Sequence, residues 1–384
     1  MTAYFDNSAT TKPCPAAVKA VAHMLETDWG NPSSLHNLGI NAAKELITAR
    51  KIIADSTGAS SDEIIFTSGG TEANNMALFG AVKAKKRLGN RIVTTAIEHE
   101  SILESAQELE KQGFEVIYLK PDKSGNISKE QLFDVVNDKT ILVSMMYVNN
   151  EVGTIMPVEA VKRAVKRAGA PALIHTDCVQ AYGKIPLSVK KIGADLITVS
   201  SHKIHGPKGV GALYINKQAN LKNQNFATRF GGEQEKKIRP GTECSPLIAG
   251  FAGAVSEFSD LASQEKYIKE LNSYAREKLG DMGSVRFNNS ETSSPYIINL
   301  YVPTFMRSQT VIQELSSEYG IYVSNGSACA KGKKSHVLTA MGLDNETIDK
   351  SIRISFCKNN TKEEIDYLVE SLTDLIKKHP LEKI

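Results

Sequence analysis

A chain of 384 residues exceeds what one compact core holds and predicts two unequal domains. Its 41% hydrophobic and 23% charged content excludes wholesale disorder, and a formal net charge of +3, with lysines interspersed among acidic residues, argues against a dedicated nucleic-acid surface. No run approaches the roughly 18 apolar residues of a membrane span, and the opening stretch Met1–Asn7 has neither a basic leader nor an apolar core, so a cytoplasmic location is expected.

Between about residues 60 and 215, short β-branched runs alternate with helix-length segments: Glu63–Phe66, Arg91–Thr95, Phe114–Leu119, Thr140–Tyr147, Ala172–Thr176, Asp195–Ser200 and Val210–Ile215. Seven such runs predict an α/β domain with a largely parallel, buried sheet. Ligands of these sheets bind beyond the carboxyl ends of the strands, so the residues just after each run are where chemistry is expected. After about residue 245 the pattern changes to a long helical stretch, strands at Ser284–Phe287 and Pro295–Tyr301, a helix near Gln309–Glu318 and a last helix from Thr361 to about Lys378, a smaller α+β unit.

Five cysteines, Cys14, Cys178, Cys244, Cys329 and Cys357, are widely spaced and form no C-x-x-C pair. Neither a disulfide framework nor a zinc knuckle is indicated.

Three segments carry chemistry. Phe66-Thr-Ser-Gly-Gly-Thr-Glu72 joins a strand to a helix starting near Ala73, which reads either as an anion site built on free backbone N–H groups or as a plain helix start capped by Thr71. It matches neither the Walker loop nor G-x-G-x-x-G. Asp177 follows the apolar run Ala172-Leu-Ile174, where a carboxylate needs a partner such as a protonated pyridine nitrogen, a basic side chain or a turn. Lys203, in Ser200-Ser-His-Lys-Ile-His205, ends the next strand and suits Schiff-base formation. A zinc reading of His202 and His205 lacks a nearby third ligand. Asp177 and Lys203 one strand apart fit pyridoxal 5′-phosphate, which needs one group to protonate its ring and another to hold its aldehyde.

Together with these segments, Tyr4-Phe-Asp-Asn-Ser-Ala-Thr-Thr11, Gly30-Asn-Pro-Ser-Ser-Leu-His36, Glu98-His99, Val148-Asn-Asn-Glu-Val-Gly153, Arg239-Pro-Gly-Thr242, Gly326-Ser-Ala-Cys329 and Ser351-Ile-Arg353 run through nearly the whole chain. In them the sequence resembles the NifS/IscS-type cysteine desulfurases of the class V aminotransferase-like enzymes. The resemblance implies the fold type I (aspartate aminotransferase-like) architecture of pyridoxal-phosphate transferases, with a large cofactor domain over 13–250 and a small domain formed by 1–12 and 251–384. It implies that Lys203 binds the cofactor aldehyde, Asp177 protonates the ring, His99 stacks on it and moves protons, and Gln180 bonds the ring oxygen. Gly70, Thr71, Ser200 and His202 would hold the phosphate, with Thr242 reaching in from the second subunit of a homodimer. Asn150 and Arg353 would receive the substrate, the Arg353 guanidinium gripping its carboxylate in a two-pronged contact.

Cys329 lies in a polar, small-residue stretch beside Lys331, Lys333 and Lys334 that reads as exposed and mobile, and the resemblance makes it the thiol that takes sulfur from L-cysteine as a persulfide, leaving L-alanine. The segment after Cys329 is shorter and more basic than in the housekeeping members, which leaves the sulfur acceptor open between an iron–sulfur scaffold and a tRNA-thiolation protein. Cys178 and Pro240 also depart from the commonest pattern, without loss of a functional group. The rivals are a selenocysteine lyase, another lyase or an aminotransferase on the same fold, and, in a different class, a non-catalytic scaffold. Lys203 and Cys329 together count against the scaffold.

Overall fold

The computed structural model describes residues 1–219, 221, 223–258, 260–326 and 334–381. A short strand, β1 (Ala3–Tyr4), precedes the seven strands of the central sheet: β2 (Ile64–Thr67), β3 (Arg91–Thr95), β4 (Glu115–Leu119), β5 (Thr140–Ser144), β6 (Leu173–Asp177), β7 (Leu196–Ser200) and β8 (Gly211–Ile215). Each of the seven expected runs overlaps one of them, β2 and β6 running one residue past the expected ends at Phe66 and Thr176. The run Thr140–Tyr147 stops early, at Ser144, because the backbone N–H of Met146 turns to the carboxyl group of Glu98. The strand order is β2-β8-β7-β6-β5-β3-β4, and β8 alone runs against its neighbours.

Strand side chains alternate between two faces, and both faces are buried. Ile65, Ile92, Leu142, Leu173 and Leu196 enter one apolar cluster with Ala73, Met76 and Ala77 of the helix Gly70–Lys85. Their neighbours Phe66, Val93, Val143, Ile174 and Ile197 enter another with Val158, Val161 and Ala164 of the helix Val158–Ala168. This is why the strands read as continuous apolar runs rather than as polar and apolar residues in turn.

Downstream lie β9 (Arg286–Phe287), β10 (Ile297–Tyr301), β11 (Ile321–Tyr322) and β12 (Ser351–Ser355). β10 pairs antiparallel with β9 and β12, while β11 pairs in parallel with β1. Ile298, Leu300, Ile352 and Ile354 build a separate core with the helices Leu261–Gly280, Ser308–Tyr319 and Lys362–Lys378. Ala3 and Phe5 join that core from the chain start. Val337, Leu338, Met341 and Ile348 pack instead into the core that holds Phe66 and Val93, so the two cores interleave along the sequence.

Beside the site, β2 is tied to the stretch that follows the sheet. Glu235, buried and held at φ 45°, accepts from the Phe66 N–H at 2.8 Å and from Arg50 Nη1 at 2.9 Å. Removing this carboxylate strands a backbone donor and a guanidinium, which costs about 3 kcal/mol. Glu235→Ala is therefore expected to lower the urea unfolding midpoint with an unchanged slope, as equilibrium fluorescence would record.

Candidate active site

The carboxyl ends of β2, β6 and β7 and the segments after β3 and β5 converge on a cavity of about 280 Å³. The sheet sets this geometry, since its strands point the same way apart from β8. Asp177, the last residue of β6, and Lys203, in the turn after β7, both line it. Asp177 is buried; its Oδ2 accepts from Asn74 Nδ2 at 2.7 Å and its Oδ1 from the Val179 N–H at 2.9 Å. Lys203 Nζ donates to the carbonyl oxygens of Ser8 and Ala9 at 2.6 and 2.8 Å.

Gly70 and Thr71 open the 16-residue helix Gly70–Lys85 at one end of the cavity. A Cβ on Gly70 would stand 3.0 Å from Val179 Cγ2 and 3.9 Å from Ser200 Cβ, so the helix start approaches the end of β7 closely. Ser200 Oγ is buried and has no partner among the described residues. An unpaired hydroxyl beside free helical N–H groups is a cradle for an anion with several oxygens. His202 also lines the cavity, bonded to Thr10 Oγ1 at 3.2 Å. Burial pushes its imidazole down to about 4, with Lys203 adding to the effect.

His99 caps the helix Glu100–Lys111, its Nδ1 accepting from the Ser101 N–H at 3.1 Å. That bond leaves the neutral ring's proton on Nε2. Burial lowers the proton affinity of His99 and the charge of Asp177 partly restores it. Gln180 donates through Nε2 to the Ser8 carbonyl at 2.9 Å and accepts from Lys184 Nζ at 2.7 Å.

Arg353, on β12, is 2% exposed. The expected two-pronged grip meets a guanidinium already in use: Nη1 donates to the Asn150 carbonyl at 2.7 Å and Nη2 to Asp6 Oδ1 at 2.8 Å. Its Nε and Asn150 Oδ1 are buried without partners among the described residues, which leaves polar groups on both residues for a ligand. Thr242 is exposed and is not among the residues lining the cavity. Cys329 lies outside the described residues, as do Lys331 and Lys333.

Sequence reasoning missed Asn74, the Ser8 and Ala9 carbonyls, Asp6, Glu151, Lys184 and His336. Asn74 had a readable signal, since it lies one helical turn after Gly70 and so faces the same side. The backbone carbonyls had none.

A family model described as aminotransferase class-V matches residues 3–368. The protein named putative cysteine desulfurase IscS 1 of Bacillus subtilis (strain 168) is 40% identical over 383 residues, which is 98% of either chain. The chain belongs to the class-V aminotransferase family, among its NifS/IscS-type cysteine desulfurases. The cysteine desulfurase IscS of Methanosarcina thermophila is 38% identical over 380 residues, 98% of this chain and 92% of that one. Among solved structures, a NifS-like protein superposes with a TM-score of 0.91 at 37% identity, covering 98% of this chain and 100% of that one. SspA in complex with cysteine superposes at 0.79 with 33% identity, covering 94% and 100%. Among the described residues no helix is long and apolar enough to cross a membrane.

Glu98, next to His99, is fully enclosed, accepting from the Met146 N–H at 3.0 Å and from Thr95 Oγ1 at 2.8 Å. Burial pushes its carboxyl from an ordinary 4.5 up to about 8. The unfolded chain releases this proton first, so the stability that the neutral carboxyl contributes is full below 4.5 and is lost as pH rises through 8. Glu98→Gln, which stays neutral, is expected to gain thermal stability relative to the native chain as pH rises across that window. A melting-point difference that does not change with pH would exclude a neutral Glu98.

Proposed function

We propose that the chain is a pyridoxal-phosphate-dependent cysteine desulfurase, turning L-cysteine into L-alanine and passing the sulfur through a Cys329 persulfide to an acceptor protein. The observation that carries this reading is the meeting of Asp177 and Lys203 in one cavity, from the ends of adjacent strands β6 and β7. The donor set fits the cofactor. Lys203 would bind its aldehyde carbon, Asp177 would hold a proton on the ring nitrogen, and His99 would lie against the ring. Gln180 would face the ring oxygen. The helix start at Gly70 and Thr71, the unpartnered Ser200 hydroxyl and His202 would take the phosphate. Exposed Thr242 contributes from the second copy of a homodimer.

Bound pyridoxal phosphate supplies an electron-poor ring that accepts electrons as bonds at the substrate's α-carbon break. The chain's own groups do the rest. Arg353 offers Nε and the spare hydrogens of its terminal nitrogens to the substrate carboxylate, beside the free amide oxygen of Asn150. Lys203, freed when the substrate amine arrives, would move the α-proton. The Cys329 thiolate attacks the substrate sulfur. The carbon–sulfur bond breaks with its electron pair staying on carbon, one proton completes the methyl group of alanine, and the sulfur remains on Cys329 as a persulfide. The acceptor is an iron–sulfur scaffold or a tRNA-thiolation protein, and the reaction belongs to the cytoplasm.

Two variants test the reading on protein supplied with the cofactor. The native chain is expected to be yellow, to bleach with borohydride and to release alanine from cysteine. Lys203→Ala should lose the borohydride-sensitive colour. Cys329→Ala should keep a cysteine-dependent spectral change while sulfide release falls on the order of 10³-fold or more. Normal sulfide release by the Cys329 variant would sink the persulfide route, and a colourless native protein would sink the whole reading.

A further inference from the structure

Lys184 is used by none of these steps, yet it is 5% exposed. Its Nζ donates to Gln180 Oε1 at 2.7 Å and stands 5.9 Å from the Tyr296 ring centroid, and among the described residues no carboxylate pairs with it. A buried ammonium without a counter-ion opposes folding. Its position is also specific: Gln180 Nε2 and Lys203 Nζ both donate to the Ser8 carbonyl, at 2.9 and 2.6 Å, so a continuous chain of hydrogen bonds runs from Lys184 through Gln180 and Ser8 to Lys203.

An ammonium can only donate, so the oxygen of the Gln180 amide must face Lys184 and its –NH₂ must face Ser8. The Ser8 carbonyl, which can only accept, sets the same orientation from the other end, so loss of Lys184 removes the donor that anchors the oxygen end of the amide. We infer that Lys184 is a positioning residue of the site, anchoring the oxygen end of the Gln180 amide so that its –NH₂ stays held on the Lys203 side, and placing a second cationic group behind Lys203. The inference rests on the proposed cofactor role of the cavity. Burial, with the charges of Lys203 and Arg353 adding to it and Cys357 opposing, lowers the Lys184 amine to about 7. His202 and His205 feel its charge in turn, and the nearby Glu257 and Lys358 are occupied with each other at 2.9 Å. Losing the Lys184 charge eases protonation of the nitrogen that Lys203 supplies. Loosening that –NH₂ makes the ring oxygen it would face more basic. Both effects act in the same direction.

The experiment is a pH titration of the visible absorbance of the full-length, cofactor-loaded protein, comparing the native chain with Lys184→Met, Gln180→Ala and the double variant. Lys184→Met should raise the titration midpoint by about one pH unit, without lowering the melting temperature. In the Gln180→Ala background it should add less than it does alone. An unmoved midpoint, or two shifts that add in full, overturns the inference. If the methionine variant does not fold, Lys184→Gln serves, with a smaller upward shift expected and its absence equally decisive. A native protein that takes no colour sinks the cofactor reading and this inference with it, whereas a coloured protein with an unmoved midpoint sinks this inference alone.

Discussion

A carboxylate at the end of a buried strand is the constraint on which the site depends. Asp177 keeps its charge out of bulk water because Asn74 and the Val179 N–H each bind one of its oxygens. Those bonds aim it at the space that Lys203 enters from the neighbouring strand. The parallel pairing of β6 and β7 fixes the spacing of the two groups, and the packing of apolar side chains on both faces of the sheet fixes that pairing. The proposed cofactor, with a basic nitrogen at one end and an aldehyde at the other, would meet a site already shaped for it.

The residues around that pair are held by bonds of the same kind, made before any substrate arrives. His99 is pinned by the Ser101 N–H, Arg353 by Asp6 and the Asn150 carbonyl, and Gln180 by Lys184 and Ser8. The first dozen residues recur in this account. Phe5 packs in the core of β10 and β12, while Thr11 donates to the His202 carbonyl at 2.9 Å. One short segment thereby connects the two cores across the cavity.

The central sheet was legible because strands buried on both faces must be written in β-branched and aliphatic residues, and few other structures demand that. Asp177 and Lys203 were legible for a related reason: a charged residue within three positions of the end of such a run is conspicuous. Partners that act through the backbone were not legible, since the carbonyl groups of Ser8 and Ala9 leave no mark in the choice of side chain. Lys184 carries no mark of its burial in the sequence, because lysine is most often exposed and its enclosure depends on what packs around it. The pairing of Arg353 with Asp6 joins residues 347 positions apart, a distance no periodicity spans.

That long-range pairing has a consequence for how the molecule is made. Every strand of the central sheet lies within residues 64–215, so this layer can assemble while the ribosome is still producing the remainder. Ala3 and Asp6 are made before the sheet and must wait for Ile321 and Arg353, which follow it by more than a hundred residues. The nascent polypeptide therefore carries a finished scaffold whose cavity stays incomplete until Arg353 has been made.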